Sequence, residues 1–541
     1  MKLTGAQAIV KALELENADI IFGYPGAAIS PFYDALLESP VKHILTRHEQ
    51  GAAHAANGYA RVTGKVGVCV ATSGPGATNL ITGIANAYMD SVPIVAITGQ
   101  VSSELIGRDV FQEADITGAT APFCKHNYLV KKAEDLPRII KEAFHLAKTG
   151  RPGPVVIDVP VDIQNRSFEF SYPESIDIRG YKPTYKGHPV QIRKVAEALK
   201  KANSPVICAG GGIIIANASE ELQEFAERCR IPVATTLMGI GSLPSRHVLN
   251  LGMLGTHGSY TANYAIHNAD LVLILGARVG DRAMGAAGKI AQNAKIIHID
   301  IDPAEIGKNI DVSIPVVGDV KLVLEDLLEI LEEGGNEAWV ETLSKLKQQR
   351  DKVPEASEGG FVNPKYLLSM LSEYIDENAI IATEVGQNQI WAANNFNMRK
   401  PGNFITSGGL GTMGYGLPSA VGAKIGRPDA TVITVSGDGS FQMSMQELGT
   451  MKQFGLGIKI IVFNNSRLGM VRELQKNKHG GRYSQVHMEH NPDFIALAGA
   501  YGFKGEKITA NADIDAALRR MTADDSPYLL ECLVDPEEPT L

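Results

Sequence analysis

Ten short runs rich in valine, isoleucine and leucine, alternating with stretches of helical spacing, set the strongest limit on how this chain can fold. They fall at 66–71, 94–98, 155–159, 206–209, 271–275, 296–299, 380–382, 431–435, 459–463 and 528–534. Most are apolar at consecutive positions, the pattern of a strand covered by helices on both faces. Alternation of such strands with helices implies an α/β protein built on doubly wound parallel sheets. A chain of 541 residues exceeds what one hydrophobic core supports. Two polar stretches with little periodicity, 166–189 and 334–364, read as linkers, the second carrying a charged helix and a Glu-Gly-Gly run. Three domains are therefore expected, at 1–165, 190–333 and 362–541. Thr4-Gly5-Ala6-Gln7 has the side chains of a capping box that opens a first helix.

Composition removes several function classes. The net charge of −9 disfavours nucleic acid as the main partner, because phosphate binding needs a basic surface. No apolar run is long enough to span a membrane, and the start lacks a basic segment followed by an apolar core. The five cysteines, Cys69, Cys124, Cys208, Cys229 and Cys532, are scattered without ligand-like spacing, which suits reduced thiols in the cytoplasm.

Two segments repeat one plan. The run at 66–71 leads through Thr72-Ser73-Gly74-Pro75-Gly76 into a helix and a strand ending Thr98-Gly99-Gln100. The run at 431–435 leads through Ser436-Gly437-Asp438-Gly439 into a helix and a strand ending Asn464-Asn465. Any two β-α-β units look broadly alike; the sharper reading is that the first and third domains share a fold, with Pro75 standing where the second copy has Asp438. Asp438 and Asn465 lie 27 residues apart, one full crossover, which puts both at the carboxyl edge of neighbouring parallel strands. A carboxylate and an amide oxygen are hard ligands suited to Mg²⁺ that also holds phosphate. Gly437 and Gly439 let backbone amides approach a diphosphate at a helix N-terminus. A lone Gly-Asp-Gly is an ordinary turn; the paired Asn at this distance favours a site.

This segment, from Gly437-Asp438-Gly439-Ser440-Phe441 through Asn464-Asn465, resembles the diphosphate motif of thiamine-diphosphate enzymes. Matches along nearly the whole chain narrow the likeness to the catalytic subunit of acetohydroxyacid (acetolactate) synthases: Phe22-Gly23-Tyr24-Pro25-Gly26, Thr72 to Asn79, Phe111-Gln112-Glu113-Ala114-Asp115 with Lys125-His126-Asn127, Thr383-Glu384-Val385-Gly386-Gln387, Gly411-Thr412-Met413-Gly414 and Leu468-Gly469-Met470-Val471-Arg472. The resemblance implies that Asp438, Asn465 and the Arg467 carbonyl bind Mg²⁺. It implies that Glu49, in Arg47-His48-Glu49, bonds the cofactor's aminopyrimidine and drives its activation by general acid–base chemistry; alone, Glu49 reads as a solvated helix-start acid. It places thiamine diphosphate against Pro25, Gly26, Glu49, Thr72, Pro75, Asn79, Val385, Gly386, Gln387, Asn388, Gly411, Met413, Gly437, Asp438, Gly439, Ser440, Asn465, Gly469 and Met470. Gln100 and Lys125 carry over as catalytic residues that line the substrate pocket, with Ala27 and Leu474 as further pocket residues. The reaction implied is release of CO₂ from pyruvate and transfer of the two-carbon unit to a second 2-ketoacid. Pyruvate as acceptor gives 2-acetolactate, and 2-ketobutyrate gives 2-aceto-2-hydroxybutyrate, the first common step of branched-chain amino-acid biosynthesis.

For the middle domain the resemblance implies FAD in a non-redox role, held by Gly210, Gly211, Gly212, Thr236, Leu237, Met238, Leu254, Gly255, His257, Gly276, Ala277, Arg278, Arg282, Asp300, Ile301 and Asp319. It further implies a homodimer or dimer of dimers, with Glu49 and the metal motif meeting across two chains, and a small regulatory subunit. Four features depart from the family pattern: Ala27 follows Gly26 in place of a second glycine, Arg278-Val279-Gly280-Asp281-Arg282 has lost an acid, Leu474 stands where a tryptophan is usual, and the sequence ends at Pro539-Thr540-Leu541 without the usual closing tail. The smaller Leu474 should relax selection for 2-ketobutyrate. A pyruvate oxidase using FAD, another thiamine-diphosphate 2-ketoacid decarboxylase, and a catalytically idle cofactor-binding protein are the competing readings.

Overall fold

The computed structural model describes residues 1–285, 291, 294–351, 355 and 360–541; part of the expected second linker, including Glu358 and Gly359, lies outside them. Among the described residues the chain forms three six-stranded sheets, each parallel throughout. A small antiparallel pair, Lys2–Thr4 with Ser167–Glu169, ties the start of the chain to the end of the first sheet. Helices cover both faces, so the α/β doubly wound architecture holds for all three. The capping box forms as expected, with Gln7 N donating to Thr4 Oγ1 and Thr4 N to Gln7 Oε1.

The first sheet runs in the order Lys42–Leu45, Ile20–Gly23, Gly67–Ala71, Ile94–Gln100, Val155–Pro160, His126–Leu129. The third runs Phe404–Ile405, Ile380–Thr383, Val432–Gly437, Ile458–Asn464, Tyr528–Leu533, Lys504–Ile508. Numbered within each sheet, both follow 2-1-3-4-6-5, so the sequence echo reflects one shared topology. The middle sheet, Asn250–Met253, Val233–Thr235, Pro205–Ala209, Leu271–Leu275, Lys295–Asp300, Ile314–Val317, follows 3-2-1-4-5-6, the order of dinucleotide-binding folds.

Strand register corrects one expectation. Ala71 pairs with Thr98 and Thr98 with Asp158; Ser436 pairs with Val462 and Val462 with Glu531. Overlaying the two sheets so that Ile94–Gln100 coincides with Ile458–Asn464, and Val155–Pro160 with Tyr528–Leu533, matches these pairs and sets Gln100 level with Asn464, Val101 with Asn465, and Ser73 with Asp438. Pro75 falls two positions further on, because the first sheet's helix begins at Pro75 after a longer turn whereas the third sheet's begins at Asp438 itself.

The first and third domains share a core through equivalent helices. Glu49–Thr63 and Gly416–Gly426 each connect the second and third strands of their own sheet, and they pack against one another. Glycine makes the contact possible: a Cβ on Gly58 would overlap the Ser419 carbonyl, and one on Gly422 the Ala55 carbonyl. Buried Ala52, Ala55, Ala56, Leu417, Ala420 and Val421 complete the seam.

Candidate active site

The third sheet's carboxyl edge gathers the metal-motif residues. Asp438 opens the helix Asp438–Gln442 and is 2% exposed; burial pushes its carboxyl up to about 6. Asn491, which the sequence did not single out, donates Nδ2 to Asp438 Oδ2 at 2.7 Å and to Asn464 Oδ1 at 3.1 Å. Asn465 Oδ1 accepts from Arg467 N at 3.1 Å, and its Nδ2 donates to Gln387 Oε1 at 3.1 Å. Gln387 donates in turn to the Glu538 carbonyl at 3.0 Å, which lays the chain's last residues over this corner. Gly437 N is met by Ser440 Oγ at 3.1 Å. Gly469 is forced by crowding, since a Cβ there would overlap Gln387 Oε1. Asn388 Nδ2 bonds the Glu384 and Val435 carbonyls at 3.1 and 3.0 Å, joining the strand ends that carry Val385, Gly386 and Gly437.

A fully buried acid, Glu384, shapes the neighbouring loop. Its carboxylate accepts from Gly414 N at 2.7 Å, Gly416 N at 2.8 Å and Ser444 Oγ at 3.3 Å. Burial pushes it up to about 7, against the pull of those amides. Gly411, at φ +73°, and Met413 lie on the loop that Glu384 closes.

A second cluster lies at the carboxyl edge of the first sheet. Glu49 begins its helix, and Asn79 Nδ2 donates to its Oε2 at 2.9 Å. A Cβ on Gly76 would stand 3.4 Å from Glu49 Oε1 and 2.8 Å from Thr72 Cγ2. Thr72 Oγ1 accepts from Ala28 N at 3.1 Å, and a side chain on Gly26 would overlap Thr72. Glu49, Asn79, Thr72 and Gly26 thus converge, with Pro25 and Ala27 exposed beside them. Gln112, with φ +59°, sits with its Cα where a Cβ on Gly74 would come within 2.9 Å. Backbone in that region is strained for a non-glycine residue and persists only where its surroundings hold it.

Two expected pocket residues are not brought together. Lys125 precedes the strand His126–Leu129 and so lies at the amino edge of the first sheet, whereas Gln100 ends the strand Ile94–Gln100 at the opposite edge. The Lys125 ammonium caps the helix Leu136–Lys148, donating to the carbonyls of Leu146 and Thr149, and lies over the Tyr181 ring; burial pushes it down to about 8. Gln100 is 4% exposed and fully engaged, donating to Asp158 at 2.9 Å and to the Ala114 carbonyl at 2.8 Å, and accepting from Val101 N at 2.9 Å. The bond to Ala114 ties it to the segment after Gln112. Leu474 is 48% exposed on the helix Gly469–His479.

Among the described residues, no hydrogen bond or ion pair joins the Glu49 cluster to the Asp438 cluster. Each cluster instead borders exposed apolar side chains: Tyr24 and Phe111 near the first, Leu410, Met443, Val471 and Leu474 near the second.

In the middle domain nearly every FAD candidate follows directly on a strand end: Gly210 to Gly212 after Ala209, Thr236 to Met238 after Thr235, Leu254, Gly255 and His257 after Met253, Gly276 to Arg278 after Leu275, Asp300 and Ile301 at the end of Lys295–Asp300, and Asp319 after Val317. Arg282 lies farther out, on the helix Asp281–Met284. They share the carboxyl edge where the strand order reverses. Gly210 and Gly212 are pressed against Gly276, and Gly212 with a Cβ would come within 2.6 Å of Gly276 Cα. A cavity of about 350 Å³ opens beside Leu254, Gly255 and Ala283. Asp319 also caps the helix Val320–Ile330, accepting from Lys321 N at 2.9 Å.

No group of three or more His, Cys, Asp or Glu is placed to hold a metal among the described residues, so a cation here depends on the mixed set of Asp438, the Asn465 amide oxygen and backbone. No helix among them is long and apolar enough to cross a membrane, and all five cysteines are free and buried.

Residues 3–119, 192–327 and 384–532 match the family models of the thiamine pyrophosphate enzyme N-terminal TPP binding domain, central domain and C-terminal TPP binding domain. The chain is 49% identical over 548 residues to the probable acetolactate synthase large subunit of Methanocaldococcus jannaschii, covering 99% of this chain and 93% of that protein. It is 47% identical to the acetolactate synthase large subunit of Corynebacterium glutamicum, over 98% of this chain and 87% of that one. The corresponding protein of Haemophilus influenzae is 46% identical, over 96% and 92%.

Proposed function

The chain belongs to the thiamine pyrophosphate enzymes of the acetolactate synthase large-subunit type, and from that premise we propose how its residues divide the work. It is a thiamine-diphosphate-dependent enzyme that joins two pyruvates to 2-acetolactate with loss of CO₂. The observation that carries the division of labour is the buried Asp438 at one strand end with Asn465 at the next.

Asp438, the Asn465 amide oxygen and the Arg467 carbonyl are the proposed Mg²⁺ ligands. The donor set fits: a desolvated carboxylate with no ion pair among the described residues, together with an amide oxygen from the next strand end, suits a hard divalent ion. Amides around Gly437 and Gly439, at a helix start, suit the diphosphate. When bound, thiamine diphosphate supplies a carbon nucleophile and an electron sink for decarboxylating a 2-ketoacid. Glu49 takes and returns a proton at its carboxylate, oriented by Asn79. Val385, Gly386 and the 411–413 loop, braced by Glu384, hold the organic rings. The apolar residues around both clusters exclude water, favouring carbon–carbon bond formation over protonation.

A homodimer is the proposed assembly, in which Glu49 of one copy completes the Asp438 site of the other; the exposed apolar side chains beside both clusters support it. FAD is the proposed ligand of the middle domain, supported by the 3-2-1-4-5-6 order and the candidates at its carboxyl edge. The large-subunit naming of the relatives supports a small regulatory partner, and five reduced thiols support a cytoplasmic setting. Leu474 leaves acceptor choice open toward pyruvate. Product analysis with pyruvate and 2-ketobutyrate in competition tests the whole reading: 2-acetolactate should dominate without flavin bleaching. Acetate with bleaching would point to an oxidase, and acetaldehyde alone to a decarboxylase.

A further inference from the structure

The helix Ile81–Asp90 ends on an acid whose side chain is 0% exposed. A carboxylate at a helix C-terminus faces the negative end of the helix dipole, and burial adds a desolvation cost. Such a group persists where its acceptors are filled. Asp90 Oδ1 accepts from Gly409 N at 2.6 Å; Oδ2 accepts from Gly408 N at 3.3 Å and from Arg61 Nη2 at 2.9 Å. One turn earlier Asn86, also 0% exposed, accepts at Oδ1 from Ser407 Oγ and from Thr412 Oγ1. Ser407 Oγ accepts in addition from Thr412 N at 2.9 Å.

One face of a first-domain helix therefore grips both ends of the third-domain segment 407–412. Between the grips Leu410 and Gly411 stand exposed. The anchor extends to the helix that begins at Glu49: Arg61 Nε donates to Asn57 Oδ1 at 2.9 Å, and Tyr415 Oη donates to the same oxygen at 2.8 Å. The middle domain reaches the junction as well, since a Cβ on Gly409 would lie 2.8 Å from Arg278 Nη2.

We propose that Asp90 is a positioning residue for the reaction: with Asn86 it fixes the 407–412 segment, so that Gly411 and Met413 are preset to receive the cofactor's rings. This rests on the reading that the 411–413 loop holds thiamine diphosphate. Neither residue touches cofactor or substrate; both act through the loop, and preorganising the loop lowers the ordering cost of binding.

Calorimetric titration of thiamine diphosphate, with excess Mg²⁺, into the full-length protein stripped of cofactor tests the proposal, with steady-state kinetics on the same samples. Asp90→Asn keeps one carbonyl oxygen for a loop amide but loses the charge; it should bind the cofactor about tenfold more weakly. Its KM for pyruvate at saturating cofactor should stay near wild type. Asp90→Ala should bind more weakly again, so that Asn partly rescues, and Asn86→Ala should shift in the same direction. Asp162→Asn, a carboxylate that bonds Ser103 elsewhere in the first domain, should bind as wild type does. Folded Asp90→Asn and Asn86→Ala proteins with wild-type cofactor affinity would overturn the proposal, whatever their melting temperatures. Should the Asp90 variants not fold, Asn86→Ala decides by the same reading. If the wild-type chain binds no thiamine diphosphate, the functional reading falls and this proposal with it; if only the variants match wild type, this proposal alone falls.

Discussion

The first and third sheets are one scaffold carrying different equipment. Both follow 2-1-3-4-6-5, and both tie the amide at the end of the fourth strand to an acid on the sixth: Gln100 to Asp158 at 2.9 Å, Asn464 to Glu531 at 2.7 Å. The chemistry differs one residue away. Asn465 is level with Val101, and Asp438 with Ser73, so the carboxylate–amide pair exists at one copy only. The first sheet instead places an acid, Glu49, at the head of the helix equivalent to Gly416–Gly426, whose leading amides are already taken by Glu384. The pair shows how a fold separates anchoring from activation: the shared latch holds the sheet edge, and single positions beside it decide which half holds a cation and which moves a proton.

The largest effects should come from breaking each half in turn, and they should differ in kind. Asp438→Ala removes the one carboxylate of the cation set. Magnesium-dependent binding of thiamine diphosphate should be lost, with activity down about 100-fold or more. Glu49→Gln should cut turnover by at least about 100-fold while cofactor still binds. Calorimetry and product formation on both variants separate the two. Comparable cofactor loss in Glu49→Gln would erase the division of labour, and full activity there would sink the mechanism.

The seam between the equivalent helices should respond next. Gly422→Ala pushes a methyl into the Ala55 carbonyl, and the helices must part; a cost of about 3 kcal/mol is expected, read as a lowered midpoint in denaturant. An unchanged midpoint would show that the two sheets do not depend on this contact. The same seam holds His54, fully buried against the Tyr415 ring and pushed by burial down to about 3. In the unfolded chain it titrates near 6.5. Between those values the unfolded state carries the extra proton, so stability falls as pH drops from about 6.5 toward 3 and is complete above 6.5. At pH 5 this one group should cost about 2 kcal/mol. His54→Phe should flatten the acid limb of the stability profile by that amount; an unaltered limb would rule His54 out as its source.

What the sequence showed and what it hid follow the physics of burial and distance. The ten expected strands include most central ones, covered on both faces and therefore mostly apolar, with Asp158, Lys459 and Glu531 among the exceptions. The edge strands are the least legible: Lys504–Ile508 and His126–Leu129 carry polar residues because one side is open, and Phe404–Ile405 has only two residues. Asp438 and Asn465 were legible because a crossover has a typical length. Their partner Asn491 was not, nor was Asp90, whose bond to Gly409 spans 319 positions and two domains. Matching the helix starts sets Pro75 against Asp438, whereas matching the strand ends sets Ser73 there. Gln100 and Lys125 came from resemblance alone, which carries no information on which edge of a sheet a residue occupies.

Gln100 gives the finest test of the comparison, since the two copies predict opposite kinds of failure. A substrate-contacting glutamine would, on substitution by alanine, raise KM for pyruvate and leave stability untouched. As the counterpart of Asn464 it is part of the latch, and Gln100→Ala strips one donor from Asp158 and one from the Ala114 carbonyl. Stability should fall by about 1 kcal/mol, and KM for pyruvate should stay within about twofold. Asn464→Ala should show the same loss of stability, because it breaks the same bond in the sister sheet. A raised KM in Gln100→Ala with an unmoved denaturation midpoint would return Gln100 to the substrate pocket and dissolve the equivalence of the two latches.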